Sequence, residues 1–592
     1  MRRRKIPNSS SDSNRLSVIG KITVTLLIIL TGRLWYLQVI RSPEYTSLSQ
    51  KNSIKLIRLK APRGEVTGRN GNILIGNRPC FNIIVFRSTR DNTNGEEFFA
   101  TLGMRKNISD FPLRKSCPVK EDVNWEEVAS IEEKKLDLPE VSIEIQPKRY
   151  YPHANLASHV LGYVGEITGP ELKYLHKDGY IQGDIIGKLG TEKSFEKQLK
   201  GKDGGKQVIV NASGHQIDML GCKTPTPGDS LSLTIDYKVQ KTIEDAIGNR
   251  YGSIVVMDPR NGEILGLVSR PAFDPNIFTR TISVAEWREM NSGKKAVFTN
   301  RAIQGEYPPA STFKLIVAIA ALEEGIIGTN RQFVCNGAYK VGNRMFKCWK
   351  KKGHGSVNIV EAIIHSCDVF FYQLGERVGI EKIALYAQKF GLANKTGIDL
   401  PGEKSGLIPT PSWKRKRVGS KWFPGDTVNT SIGQGFVLTT PLQMANVYST
   451  IANGGTVYKP HVLKTATPQV IREINLKPST RDVILEALTM VVSRGTGYRS
   501  KVKGVEVAGK TGTSENPHGA DHAWFIGFAP AKSPSVVVCV ILENAGHGSS
   551  QAAPLCGKII KDFISRQPPA ITSQEEILHS EKKLIAKSTS ET

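Results

Sequence analysis

The rhythm of apolar positions changes three times along the chain. Over residues 16–32 the run LSVIGKITVTLLIILTG is almost unbroken, and LWYLQVI at 34–40 prolongs it past Arg33. A helix over 16–40 would extend about 37 Å at ~1.5 Å per residue, enough to cross a bilayer with some tilt. Lys21 is placed to snorkel toward one interface, and Trp35 and Tyr36 suit the other. From 41 to 235 short β-rich runs alternate with Gly, Pro and Asn turns, as in RGEVTGRNGNILIGNRP, with polar segments around 91–97 and 105–123. This predicts an elongated α+β pedestal. From LSLTID at 231–236 onward the pattern predicts strands at 253–257, 263–268 and 536–542 and helices at 313–324, 359–378, 383–390, 442–453 and 481–492. Such a mixture reads as one large α/β domain over 236–566. Residues 567–592, rich in Ser, Glu and Lys, read as a flexible tail.

Charge refines this organisation. The 592 residues carry a net +25, with 39% hydrophobic and 23% charged residues, which excludes a mainly disordered chain and a single small module. Basic clusters at 2–5, 350–352 and 414–417 come without a nucleic-acid-reading signature. An anionic bilayer or a carboxylate-rich wall polymer accounts for the balance, and no nucleic-acid partner is expected. Arg2, Arg3, Arg4, Lys5 and Arg15 against Asp12 place residues 1–15 in the cytoplasm and everything after about residue 40 outside. The competing reading is a cleaved signal peptide, which the bulky LWYLQV segment disfavours. Eight cysteines are too sparse for a disulfide scaffold.

Three segments carry candidate chemistry. In EYPPASTFKLIVAIAALEEG, Ser311 and Lys314 are three positions apart at the start of an apolar helical run and so share a face. A serine hydroxyl needs a neighbour to take its proton, and a partly desolvated lysine supplies a neutral amine. The helix N-terminus also favours developing negative charge. Ser366-Cys367-Asp368 adds a second hydroxyl for proton relay, and Lys510-Thr511-Gly512-Thr513, after a strand-like run, adds a cation and small hydroxyls able to bind a carboxylate. Ser-x-x-Lys alone is weak, but in this order and spacing the three elements match the signature set of penicillin-binding proteins and serine β-lactamases.

Further segments resemble class B penicillin-binding proteins: RGEVTGRNGNIL at 63–74, RYYPHANLASHVLGYVGEI at 149–167, GKLGTEKSFEKQLKGKDG at 187–204 and the LTID run. Gly68 stands where that family usually has Asp, and Ala310 where Gly is commoner. Ser-x-Asp as second motif, GIDLPGEKSGLIP at 397–409 and WFPGDTVNTSIGQGFVLTTPLQMA at 422–445 resemble the elongation branch, penicillin-binding protein 2. The resemblance implies a single anchor, a dimerisation-type pedestal and a transpeptidase domain in the inner membrane. It implies Ser311 as acyl-ester nucleophile, Lys314 as its base, Ser366 and Lys510 as proton relay organised by Asp368, and Thr511, Gly512 and Thr513 as the strand that binds the donor carboxylate. Backbone N–H groups of Ser311 and Thr513 would form the oxyanion hole. Implied partners are D-Ala-D-Ala stem peptides, an amine acceptor on diaminopimelate or lysine, β-lactams, and a SEDS-type glycosyltransferase within the elongation complex. A division-specific transpeptidase, a serine β-lactamase, a non-catalytic β-lactam receptor and a scaffold are the competing readings.

Between the first two motifs lie Cys335, Cys348, His354 and Cys367. Three thiolates and an imidazole make a complete tetrahedral set for one structural zinc, and no organic cofactor is expected. Some relatives of the elongation branch look similar here and hold zinc. A Cys335–Cys348 disulfide or unpaired buried thiols remain open alternatives. His153, His159, His518 and His522 lack metal spacing and read as structural or surface residues. Trp524, Phe525 and Gly527 read as core and site wall, and the KRKR run at 414–417 as a solvated face able to meet anionic lipid or glycan.

Overall fold

The computed structural model describes residues 10–86, 116–133, 141–210, 216–292 and 296–567. The N-terminal basic cluster 2–5, the polar segment 91–97, residues 105–115 and the tail from 568 lie outside the described residues. Helix Ser10–Trp35 continues into a short π-helical turn, Tyr36–Ile40. Among the described residues, the stretch Asn14–Ile40 is the one helix long and apolar enough to cross a membrane.

Two compact units follow, and they do not divide at a single point near residue 235. The first takes Met1–Pro62, Pro79–Lys148 and Gly201–Pro227, the second Arg63–Arg78, Arg149–Lys200 and Gly228–Thr592. The first unit contains the antiparallel sheet of Ile54–Leu59, Gly204–Val210 and Gln216–Lys223, with Ile57 opposite Lys206 and Lys206 opposite Cys222. It also holds a small core of Ile83, Val85, Val128, Ile131 and Val141.

Segments 63–78 and 149–200, read from sequence as pedestal, pack within the second unit for an electrostatic reason. Glu192 is fully buried and receives Arg63 Nη2 at 2.7 Å and Arg149 Nε at 2.6 Å. Burial alone would raise this carboxyl, but the two guanidiniums hold it below its ordinary range. Three segments that carry the family resemblance thus converge on one carboxylate. Gly68 sits close to residue 235, where a Cβ would lie 2.9 Å from the Ile235 carbonyl oxygen, so an aspartate there would have to displace backbone.

The core of the second unit is an antiparallel sheet whose strands, in chain order, are β1 (Gly252–Met257), β2 (Ile264–Arg270), β3 (Ala508–Ser514), β4 (His522–Ala529) and β5 (Val536–Leu542). Their spatial order is β2-β1-β5-β4-β3. β1 and β5 are buried on both faces, which explains their continuous apolar runs. Ile254, Val256, Val538 and Val540 face a core with Ile243, Cys556 and Ile559, from α1 (Tyr237–Ile247) and the C-terminal helix Gly548–Ser565. The alternate set, Val255, Met257, Cys539 and Ile541, faces the larger core with Ile316 and Tyr448. The long helix expected over 359–378 is instead two helices, Ile359–Ile364 and α2 (Asp368–Val378). Ser366 adopts φ +52°, and the Cys367 sulfur caps α2 by accepting from the Phe370 N–H.

Candidate active site

Ser311 lies in the 3₁₀ turn Ala310–Thr312, one residue before the helix Lys314–Glu323. The expected shared helix face is therefore a turn–helix junction. Ala310 has φ +50°, and its N–H donates to the Gly433 carbonyl at 2.9 Å. Gly433 itself has φ +70°, and a Cβ there would come within 2.3 Å of the Ala310 oxygen. Only glycine fits where the two turns touch.

Lys314 is wholly buried. Its Nζ donates to the Ser366 carbonyl at 3.0 Å, to Ser366 Oγ at 3.3 Å and to Asp368 Oδ1 at 2.7 Å. The helix break at residues 365–367 is what brings Ser366 and Asp368 to this one nitrogen. Asp368 Oδ2 accepts from the Trp349 backbone N–H at 3.0 Å, a contact no sequence signal announced.

β3 is an edge strand, paired on one side with β4 so that Lys510 opposes Ile526 and Thr513 opposes Ala523. Lys510 is also wholly buried, and burial, reinforced by the Lys314 charge, holds it well below the ordinary lysine range. Thr511 Oγ1 lies 2.7 Å from Thr496 Oγ1, and Gln434 Nε2 donates to the Thr513 carbonyl at 3.3 Å. Neither Thr496 nor Gln434 was singled out from sequence, although SRGTG before the third motif and GQG in the 422–445 segment marked their turns. Gly512 lets the nucleophile turn approach the strand, since a Cβ there would sit 3.1 Å from both the Pro309 oxygen and Thr312 Cγ2. The three sequence motifs thus meet around two buried lysines, an arrangement able to activate a hydroxyl, relay its proton and hold a carboxylate.

Behind the second motif, the donor atoms of Cys335, Cys348, His354 and Cys367 all lie within 4.8 Å of one another. His354 Nδ1 is 3.7 Å from the Cys335 sulfur and 3.5 Å from that of Cys348. All eight cysteines are free thiols, so Cys335 and Cys348 are not joined. The hydrogen bond from the Cys367 thiol draws the Cys348 thiol below its ordinary range, the direction that suits a metal ligand. Three buried sulfurs and a half-buried imidazole at this spacing fit a tetrahedral zinc set.

The remaining candidates divide. His159 is buried, its Nε2 2.7 Å from the Val297 carbonyl, and is structural. His153 packs beside Tyr237 and His522 beside Tyr307. His518 lies on the exposed loop after β3. Trp524, Phe525 and Gly527 sit on β4 next to the Lys510 strand, as expected of a site wall.

Residues 252–561 match the family model for the penicillin binding protein transpeptidase domain, and residues 58–233 that for the penicillin-binding protein dimerisation domain. The peptidoglycan D,D-transpeptidase MrdA of Acinetobacter baumannii is 36% identical over 568 residues, which is 90% of this chain and 84% of that one. A solved complex of penicillin-binding protein PBP2 with MreC from Helicobacter pylori aligns with TM-score 0.78 at 30% identity, over 86% of this chain and 99% of that one. A structure described as the structural coordination of polymerization and crosslinking by a peptidoglycan synthase complex aligns with TM-score 0.73 at 29% identity, over 94% and 100%. With both domains matched in order and the three motifs assembled at one centre, the chain belongs to the penicillin-binding proteins, as a transpeptidase domain preceded by a dimerisation domain.

Proposed function

We propose that this protein is a serine D,D-transpeptidase that cross-links peptidoglycan stem peptides during cell elongation, and that β-lactams inhibit it by acylating Ser311. The observation that carries the reading is the convergence of Ser366 and Asp368 on the buried Lys314 nitrogen, beside the strand that bears Lys510. Ser311 Oγ attacks the carbonyl of the penultimate D-Ala, and the neutral Lys314 amine takes its proton. The peptide bond breaks as a proton reaches the leaving nitrogen through Ser366, with Lys510 supporting the relay, and free D-alanine departs. Thr511 and Thr513 bind the terminal carboxylate, and the Ser311 and Thr513 N–H groups hold the oxyanion, where losing one donor typically costs about 3 kcal/mol. An amine from a neighbouring stem peptide then attacks the acyl-enzyme, forming the cross-link and returning the proton to Ser311.

Cys335, Cys348, His354 and Cys367 are assigned to one zinc. When bound, it supplies structural cross-linking and offsets thiolate charge, and it takes no part in the reaction. The chain's own contribution is to fix residues 348–349 and 367–368, so that the Trp349 N–H meets the Asp368 carboxylate. The apolar helix is assigned as an uncleaved anchor with a cytoplasmic N-terminus and the enzyme outside. Likeness to the relatives points to a SEDS-type polymerase and an elongation scaffold as partners.

The deciding experiment is intact-mass analysis after treatment with labelled penicillin. Wild type gains one adduct that survives for many minutes, and Ser311→Ala gains none. Label on both or on neither sinks the reading, and an adduct released within seconds favours a β-lactamase.

A further inference from the structure

The mechanism leaves unused two strongly basic stretches of the chain. Residues 338–360 contain six basic side chains and no acidic one. They form the hairpin of Ala338–Val341 and Arg344–Lys347 and the turn beyond it. Lys340, Arg344, Lys347 and the run 350–352 are all exposed, and among the described residues none has an ion-pair partner. Residues 411–425 repeat the pattern with five basic side chains and no acid. There Lys414 turns inward to Asp426, leaving Arg415, Lys416, Arg417 and Lys421 exposed and without ion pairs among the described residues.

The two segments touch: a Cβ on Gly425 would lie 3.1 Å from Cζ of Phe346 at the hairpin base. Both are also tied to the reaction centre. Tyr372 of α2 donates to the Lys347 carbonyl, and the Trp349 N–H to Asp368. On the other side Phe436 packs against Trp413, two residues after Gln434, whose amide meets the Thr513 carbonyl. Large rings stand open among these cations, Trp349 at 59%, Phe423 at 46% and Phe436 at 36% exposure.

An ordinary solvated face intersperses both signs, because like charges held on fixed elements repel. Ten unpaired cations with open aromatic rings, braced against a catalytic helix and strand, are better explained by an anionic polymer with flat apolar faces. A chain of amino sugars bearing carboxylate-rich peptides has both properties: carboxylates meet Lys and Arg, and the C–H faces of sugar rings lie on Trp and Phe. We propose that the hairpin 338–347, the turn 348–352 and the segment 411–425 form a docking surface for the peptide-bearing glycan strand, next to the Ser311 centre. This rests on the transpeptidase reading and adds to it where the polymer lies and which of its groups are recognised.

The test uses the full-length protein in detergent and uncrosslinked, peptide-bearing glycan strands carrying a fluorophore. Two variants on separate elements, Arg415→Gln/Lys416→Gln/Arg417→Gln and Lys340→Gln/Arg344→Gln/Lys347→Gln, guard against a local folding defect. Strand affinity is expected to fall at least tenfold in either variant, with a shallower dependence on salt, while the rate of penicillin labelling stays within twofold of wild type. Strands stripped of their peptides should bind wild type as weakly as intact strands bind the variants. Unchanged strand affinity in both variants overturns the proposal. So does a loss seen only with phosphatidylglycerol vesicles, which would make this a membrane-facing surface. Failure of wild type to take penicillin label would instead remove the transpeptidase reading, and strand binding is read independently of it.

Discussion

The Nζ of Lys314 lies 2.7 Å from Oδ1 of Asp368, so the lysine proposed as base is held by a carboxylate rather than by Ser311. Among the described residues none of the Lys314 hydrogen bonds reaches Ser311; they go to Ser366 and Asp368. The carboxylate fixes where the lysine nitrogen points, close to the Ser366 hydroxyl. Asp368→Asn should therefore slow penicillin acylation about tenfold or more, because a neutral amide holds the amine less firmly than a carboxylate. Asp368→Ala should destabilise the protein by about 3 kcal/mol, because it removes the ion-pair partner of a buried lysine. Thermal melting and penicillin acylation rates check both outcomes.

Lys510 is a second buried lysine, and its folded value is held below that of the unfolded chain by burial and by Lys314. Between those two values the unfolded state binds more protons, so this residue destabilises the fold at neutral pH and does so less as pH rises toward 10.5. Lys510→Met is expected to melt several degrees higher at pH 7, with the gain shrinking at alkaline pH, and to lose acylation. A variant that melts lower at pH 7 would contradict this.

His159 gives the acid limb. Burial brings this imidazole from 6.5 down to about 4, even though its ring donates to Val297. The unfolded chain takes up the proton first, so stability present above about pH 6.5 is lost as pH falls toward 4, about 3 kcal/mol in all. Denaturant melts at pH 7 and pH 4.5 on wild type and His159→Gln should show the slope in wild type and a shallower one in the variant.

Protein purified without chelator should carry about one equivalent of zinc, and removing it should lower the melting temperature and slow labelling of Ser311. Cys348→Ser should do the same without chelator. Metal content below a tenth of an equivalent would dismiss the assignment.

Ala310 occupies a left-handed conformation that favours glycine, at φ +50°. Ala310→Gly should relieve about 1 kcal/mol of strain and raise the melting temperature. Because Ala310 is fixed by its bond to Gly433, the labelling rate should change little; a lower melting temperature would mean that the Cβ packing outweighs the strain.

Periodicity made β1, β2 and β5 of the central sheet legible, since β1 and β5 are buried on both faces and so read as largely unbroken apolar runs, whereas β4 was not foreseen. Motif order and spacing singled out Ser311, Lys314, Ser366, Asp368 and Lys510, and the cysteine–histidine set, and the structure brings Ser366 and Asp368 to Lys314 and the four sulfur and imidazole donors to one another. It could not foresee the break before α2, because the left-handed turn at Ser366 and a sulfur cap leave no compositional trace. Nor could it foresee backbone donors: the Trp349 amide and the Gly433 carbonyl act without their side chains. That segments 63–78 and 149–200 belong to the second unit was hidden for a related reason, because it depends on a buried Glu192 meeting two distant arginines.

The strand order β2-β1-β5-β4-β3 has a consequence for how the molecule is made. The first two strands leave the ribosome with residues 252–270, but their neighbour β5 arrives only with residues 536–542, after the whole helical region has emerged. Until then β1 offers an unpaired edge, apolar from Ile254 to Met257, to any other unfolded chain. Biogenesis is thus the most exposed stage of this enzyme's life, and lesions that slow synthesis between residues 271 and 507 should appear as aggregation before they appear as lost activity.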